Sequence, residues 1–412
     1  MTTVALLGSL DTKGEEYMFL RERLRQAGVQ VVLIDSGVLE PPTVTPDIDR
    51  ATVAAAAGTS IEELLAGGDR ASAVGAMGEG AGTLLAAMVA EGSVDGVLAL
   101  GGSGGTDTAS RAMRELPLGV PKVIVSTMAS GNTRGYVGTS DITMMYSVVD
   151  ISGVNSVSAP ILANAAAATA GMAATERPRM DGHHPVVAAS MVGLTTPGGS
   201  RLCERLGEFG YESLVFHATG VGGRTLESLV EQGRVAGVAE MTPTELVDDL
   251  FGGICSAGPD RLTAAGRRGI PQVVSLGALD MINFGPMDSL PQRYRNRVIH
   301  VHNEQITLVR TDPAECAQLG GVLATKLNAA RGPVSVFVPT EGLSSISVAG
   351  KPFHDTEADT ALVDALLAGL RPEVTVHRAE TDVNDRDLAV CMAEELHRLL
   401  RESRETAQKG ST

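Results

Sequence analysis

Tryptophan is absent from these 412 residues, and aromatic side chains make up only 3% of them. Single-stranded nucleic acid is held largely by bases stacked on aromatic rings, so that mode of binding has little to build on. An excess of positive charge is missing too. The formal net charge is −16, which repels a phosphate backbone and argues against long RNA or DNA as a partner. Cysteine is scarce: Cys203, Cys255, Cys316 and Cys391 lie far apart and form no CxxC pair. That usage fits a reduced, cytoplasmic protein better than a disulfide or zinc framework. Long apolar runs are lacking as well. The longest mild one, Ala159 to Ala174, is alanine-rich and broken by Asn164 and Thr169, and it reads as a packed helix, not a membrane span. No basic segment precedes the first apolar residues, which argues against a secretory signal.

What is present is the grammar of an α/β protein. The length exceeds one ordinary core, so two domains are expected. The stretch LALGGSGGTDTASRAM, from Leu98 to Met113, runs from a short apolar strand into glycines and then into a helix read as starting at Asp107. Glycines let backbone N–H groups approach an anion that a Cβ would keep away, and a helix N-terminus adds unpaired donors. The turn is neither a Walker A loop nor a dinucleotide fingerprint, because the Gly-Lys-Ser/Thr and the G-x-G-x-x-G spacing are both missing. It predicts an anion or nucleotide site; the other reading is a tight turn with no ligand.

The opening residues read as strand, amphipathic helix, strand, with Leu20, Leu24 and Ala27 at helical spacing. A further helix is expected around Thr83 to Glu91, and a strand over Lys122 to Ser126. The chain then repeats itself in order. Residues 186–193 resemble the first strand, 26–37 align with 208–220, 91–100 with 232–241, and 119–127 with 269–277. This predicts two doubly wound, Rossmann-like α/β lobes with mainly parallel sheets and an interlobe cleft. The lobes are placed at 1–178 and 186–402, joined through the polar stretch 176–185, with a polar tail over 403–412. The segment from Ser126 to Ala166 reads as a structured loop over the carboxyl ends of the first lobe's strands.

The combination of SLDTKGEE, GGSGGT, STMASGNTRGYVGTSDITMMYSVVDISGVN, FHATGVGGRTLE, DRLTAAGRRGIPQVVSLGALDMINFG and VHNEQITLVRT resembles a family of bacterial, fungal and plant proteins. That family includes the ATP-binding domain of the tomato mosaic virus resistance protein. The resemblance covers Val4 to about Leu399. It implies two α/β lobes and nucleotide binding more firmly than catalysis. Plant members bind ATP, inhibit viral RNA replication and carry a further C-terminal barrel domain, which is not expected here.

In lobe one, three segments are expected to meet at the carboxyl edge of the sheet. They are Ser9, Asp11, Thr12 and Lys13; Gly101, Gly102, Ser103, Gly104, Gly105 and Thr106; and Ser126, Thr127, Ser130, Gly131 and Arg134. Amides and hydroxyls would orient the oxygens of ATP, Lys13 and Arg134 would offset charge, and a carboxylate would hold Mg2+. Asp141 is the metal candidate, with Asp11 and Asp107 beside it; Asp107 also reads as a helix cap. In lobe two, Thr219, Gly220, Gly222, Gly223 and Arg224 form a second strand, glycine turn and helix start, a candidate substrate site for a small acidic molecule. His217 and Glu240 each close an apolar strand and are the candidate acid/base groups. The structural alternative is that His217 bonds a carbonyl and Glu240 pairs with an arginine such as Arg261. Glu245 reads as half of a capping box with Thr242. His300, His302 and Glu304 lack the spacing of a zinc site.

Two functions stay open. One is an ATP-dependent enzyme acting on a small acidic metabolite, with closure of the lobes excluding water. The other is a non-catalytic nucleotide-binding module that signals to a protein partner. Thr139 to Asn164, apolar in patches and rich in small residues, predicts a homo-oligomer, a twofold dimer, with no nucleic acid and no membrane among the partners.

Overall fold

The computed structural model describes residues 1–176 and 184–409. The chain divides into two compact units, Met1–Met180 and Asp181–Thr412. Most of the stretch 176–185, read as the join, lies outside the described residues.

The first unit holds strands β1 (Thr3–Gly8), β2 (Gln30–Asp35), β3 (Gly96–Gly101), β4 (Lys122–Ser126) and β5 (Thr143–Tyr146). All are parallel, in the order β2-β1-β3-β4-β5. Helices cover both faces, and alternate residues of the central strands serve them, as the two-residue side-chain period requires. Ala5, Leu7, Val97 and Ala99 face Met77, Ala81 and Met113 on one side. Val4, Leu6, Leu98 and Leu100 face Leu20, Leu24, Leu162 and Ala166 on the other. The helix Arg70–Ala90 is long and apolar enough to cross a membrane by length and composition, yet it is a core helix: Met77, Ala81 and Leu85 are fully buried. Its glycines serve close packing, since a Cβ on Gly80 would stand 2.0 Å from the Val53 carbonyl oxygen.

Three sequence expectations need correction. The helix after the glycine turn starts at Ser103, not Asp107, because Gly102 already takes the extended cap conformation. The helix expected over 83–91 begins at Arg70, where the Asp69 carboxylate accepts from the Ala71 and Ser72 amides. The segment after Ser126 is not all loop: it supplies β5 to the sheet edge and the helix Ser158–Ala174.

The second unit holds β6 (Val186–Met191), β7 (Glu212–His217), β8 (Gly237–Glu240), β9 (Gln272–Ser275), β10 (Met281–Phe284), β11 (Ile299–Asn303), β12 (Ile306–Arg310), β13 (Val334–Pro339) and β14 (Thr375–Ala379). Six of them form a parallel sheet in the order β14-β13-β9-β8-β6-β7. The other three form an antiparallel sheet, β10-β12-β11, inserted between β9 and β13. Taken from β6 onward, the parallel strands repeat the first unit's winding. The four matched sequence segments fall on equivalent strands, β1 with β6, β2 with β7, β3 with β8 and β4 with β9. The polar residues 403–409 continue the helix Arg386–Lys409 instead of forming a frayed tail; residues 410–412 lie outside the described ones.

Candidate functional site

In the strand order of the first unit the chain leaves β1 toward β2 on one side and later reaches β3 on the other. Parallel sheets bind ligands at such a reversal, outside the carboxyl ends of the strands. A cavity of about 230 Å³ lies there. Ser9, Asp11 and Thr12 after β1, Ser36 and Leu39 after β2, and Gly104 and Gly105 after β3 all line it. The first amides of the helix Ser103–Arg114 have no acceptor within that helix. A Cβ on Gly101 would stand 2.7 Å from Gly105 Cα, so Gly101 is glycine because the turn folds back on it. Gly104 is different: a Cβ there would meet only Arg70 Nη2 at 3.8 Å and Val74 at 3.9 Å, across the cavity.

The other expected residues of this unit lie elsewhere. Thr106 and Ser126 are fully buried and share a 2.6 Å hydroxyl–hydroxyl hydrogen bond that ties the glycine turn to the end of β4. Buried and mutually satisfied, they are structural. Thr127 approaches Gly102, but neither it nor Ser130, Gly131 or Arg134 lines the cavity. Arg134 opens a short exposed helix. Lys13 donates to the Ile151 carbonyl, which turns its ammonium away. Asp141 cannot hold a metal at this edge. It accepts from Lys122 Nζ at 2.5 Å and from the Gly119 amide at 2.7 Å, beside the start of β4 and so at the opposite end of the sheet. Lys122 holds the Asp141 carboxyl below its usual range, against the effect of burial. Asp107 pairs with Arg111 one turn on, at 2.8 Å. Asp11 is the acid that remains at the cavity. Its Oδ2 accepts from the Leu39 and Glu40 amides, while its buried Oδ1 has no hydrogen-bond partner.

The second unit's glycine turn follows β7, the counterpart of β2, and so does not correspond to the first unit's turn. Its anion position is already filled. The Glu245 carboxylate accepts from the Gly220 and Gly223 amides at 2.6 and 3.0 Å, and a Cβ on Gly223 would stand 2.0 Å from it. Glu245 therefore forms no capping box with Thr242. The expectation that Gly220, Gly222, Gly223 and Arg224 bind a substrate anion fails for the same reason: an internal carboxylate occupies the nest. Arg224 donates instead to the Ser256 carbonyl.

Glu240 is not an acid/base group at an open edge either. It is 1% exposed, and both its oxygens accept from Arg261, at 2.5 and 2.6 Å. Arg261, fully buried, also meets Glu245 at 2.6 Å and Glu227 at 3.0 Å. Burial alone would lower the guanidinium's pKa, but these carboxylates keep it protonated. Every polar atom of this cluster is spoken for. His217 by contrast is exposed at the end of β7 and, with Thr219, lines a cavity of about 220 Å³ at the carboxyl ends of β6, β7 and β8. Among the described residues no three His, Cys, Asp or Glu side chains converge as a metal site.

The N-terminal domain model of the uncharacterised protein family UPF0261 matches residues 2–178, and its C-terminal domain model matches 184–400. The chain belongs to UPF0261. A UPF0261 protein of Clostridium tetani (strain Massachusetts / E88) is 44% identical over 394 residues, covering 95% of this chain and 98% of that one. The ToMV resistance protein Tm-1(GCR237) of Solanum lycopersicum is 40% identical over 384 residues, which is 88% of this chain and 51% of the tomato protein. This chain thus spans about half of the tomato relative's length. MurG of Acinetobacter baumannii aligns over 99% of this chain and 100% of its own at 12% identity and a TM-score of 0.21, too low to carry an argument.

Within this UPF0261 chain the cavity residues that sequence reasoning missed are Arg70 and the apolar wall of Val38, Leu39, Leu64 and Leu65. Arg70 follows the Asp69 cap and is separated by 34 residues from Gly104. A cap residue followed by a basic one before a glycine-rich helical run was the signal available, and it says nothing about which cavity the arginine reaches.

Proposed function

We propose that the N-terminal unit binds a nucleoside triphosphate, ATP with Mg2+, in its 230 Å³ cavity. One observation carries this reading: the cavity combines phosphate donors with an apolar lining. The helix amides at Gly104 and Gly105, the hydroxyls of Ser9 and Thr12, and Arg70 line it, a donor set suited to phosphate oxygens. Val38, Leu39, Leu64 and Leu65 line it as well and offer apolar surface of the kind that takes a base. Asp11 Oδ1, buried and without a partner, is the carboxylate oxygen that would take the metal or its water. The resemblance to the tomato ATP-binding domain supports the same ligand. Calorimetric titration of the protein with Mg-ATP tests it: a saturable one-per-chain isotherm is expected, and no heat at millimolar nucleotide would remove it.

The enzyme and the signalling module separate on what else is bound. With Glu240 locked to Arg261, His217 is the remaining sequence-nominated acid/base group, and it lies on a cavity in the other unit. The module is therefore the reading we favour, and ATP turnover stimulated by a small metabolite would reverse that choice. A twofold dimer belongs to the same proposal, since Tyr146, the last residue of the edge strand β5, and Val148 just after it are 43% and 56% exposed. Light scattering on the calorimetry sample should give twice the chain mass.

A further inference from the structure

The second unit's cavity, at the carboxyl ends of β6, β7 and β8, occupies the place in its winding that the nucleotide cavity occupies in the first. Its furnishing is unlike that of a phosphate site. No Asp, Glu, Lys or Arg lines it. An apolar floor comes from Leu194, Met281, Ile306 and Leu308, the last three on the inserted antiparallel sheet. Hydrogen-bonding groups come from three elements: the imidazoles of His217 at the end of β7 and His302 on β11, and the hydroxyl of Thr244 after β8. Thr244 is 1% exposed, does not cap the helix that follows it, and its Oγ1 has no hydrogen-bond partner. A buried hydroxyl left unpaired is costly, so one kept against a cavity wall is a donor awaiting an acceptor. The acid packed behind the cavity is Asp248, which accepts from the Asn283 and Cys255 amides.

We infer that this cavity is a second ligand site and that it takes a small monocarboxylate bearing a short alkyl group. The carboxylate would accept from the Thr244 hydroxyl and the histidine N–H groups, and the alkyl group would lie on the Leu194–Met281–Leu308 floor. A phosphate dianion carries twice the charge of a carboxylate and finds no arginine or lysine here to offset it. An engineered protein cavity of about 150 Å³ accommodates benzene, so about 220 Å³ suits a molecule somewhat larger than that. The inference does not depend on what the first unit binds.

The test is calorimetry of the full chain with isovalerate and 2-oxoisovalerate, with isovaleramide as the neutral match and inorganic phosphate as the competing anion. The two carboxylates should bind at least tenfold more tightly than the amide or phosphate. Thr244→Val should weaken them at least fivefold while leaving the melting temperature of the unliganded protein unchanged or higher, because the hydroxyl it removes has no partner to lose. His302→Gln, on an exposed strand, should weaken them as well. Equal binding of the amide, tighter binding of phosphate, an undiminished Thr244→Val variant, or no binding of either carboxylate would each overturn the assignment. An ATP titration of the same sample reports the first unit separately, so failure at one site is not mistaken for failure at the other.

Discussion

The two units wind alike and use glycine turns in opposite ways. In the first unit the turn after β3 leaves its amides toward a cavity, and Gly104 has room for a side chain. In the second the turn after β7 closes on the buried carboxylate of Glu245, and neither Gly222 nor Gly223 can carry a Cβ. Two similar sequences thus encode an open nest of backbone donors and a self-filled one. The difference is whether the protein supplies the anion itself, and supplying it ties the turn into the Arg261 cluster. A glycine turn at a strand end is therefore a statement about backbone donors, and only their surroundings say who accepts from them.

The largest effect should come from breaking the filled nest. Arg261→Ala leaves the carboxylates of Glu227, Glu240 and Glu245 buried without their cation, and should destabilise the second unit by about 3–5 kcal/mol in denaturant titration. A loss below about 1 kcal/mol would mean the cluster is not structural, and the contrast between the turns would fall. Each unit also holds an aspartate behind its cavity, Asp35 in the first and Asp248 in the second, and burial raises both pKa values, Asp248 to about 7. An unfolded aspartate titrates near 3.9, so the folded chain binds this proton more tightly. The contribution is full below about pH 4 and is lost as the pH rises to 7. The stability of wild type relative to Asp248→Asn should accordingly fall across that window, by on the order of 2–4 kcal/mol. A pH-independent difference would show that Asp248 stays ionised.

Smaller effects sharpen the open nest. Gly104→Leu places a side chain in the first cavity without a backbone clash and should weaken Mg-ATP at least tenfold in calorimetry, about 1.4 kcal/mol, at an unchanged melting temperature. Unaltered affinity would move the nucleotide elsewhere. Arg70→Ala should cost less, about 1 kcal/mol or below, because the arginine is exposed and water screens it. Equal affinity with and without Arg70 would leave the amides and the Ser9 and Thr12 hydroxyls as the phosphate donors.

Much of the fold was legible because its determinants are local. The apolar runs at 97–100 and 122–126, the glycine turn between strand and helix, and the ordered matches between the halves each depend on neighbours in sequence. Part of the candidate site was legible for the same reason: Ser9, Asp11, Thr12, Gly104 and Gly105 follow strand ends, and strand ends define the edge where cavities form. The inserted sheet of β10, β11 and β12 was not: VIHVHN alternates as a strand does, but so short an alternation does not say that the strand belongs to an added antiparallel layer.

By itself, then, the sequence determined the α/β class, the doubled winding, the family and the edge at which ligands are to be sought. It left Glu240 between two readings, a free acid and a partner of Arg261, and only the tertiary structure chose the second. It also took the amides of Gly220 and Gly223 for Glu245, turned Lys13 toward Ile151, sent Asp141 to the far end of the sheet, and brought Arg70 to the glycine turn. The reason is physical. Strand and turn propensities act over a few residues, whereas a buried charge takes the partner that packing places within hydrogen-bond reach. For Glu240 and Glu245 those partners, Arg261 and the Gly220 amide, lie 21 and 25 residues away along the chain.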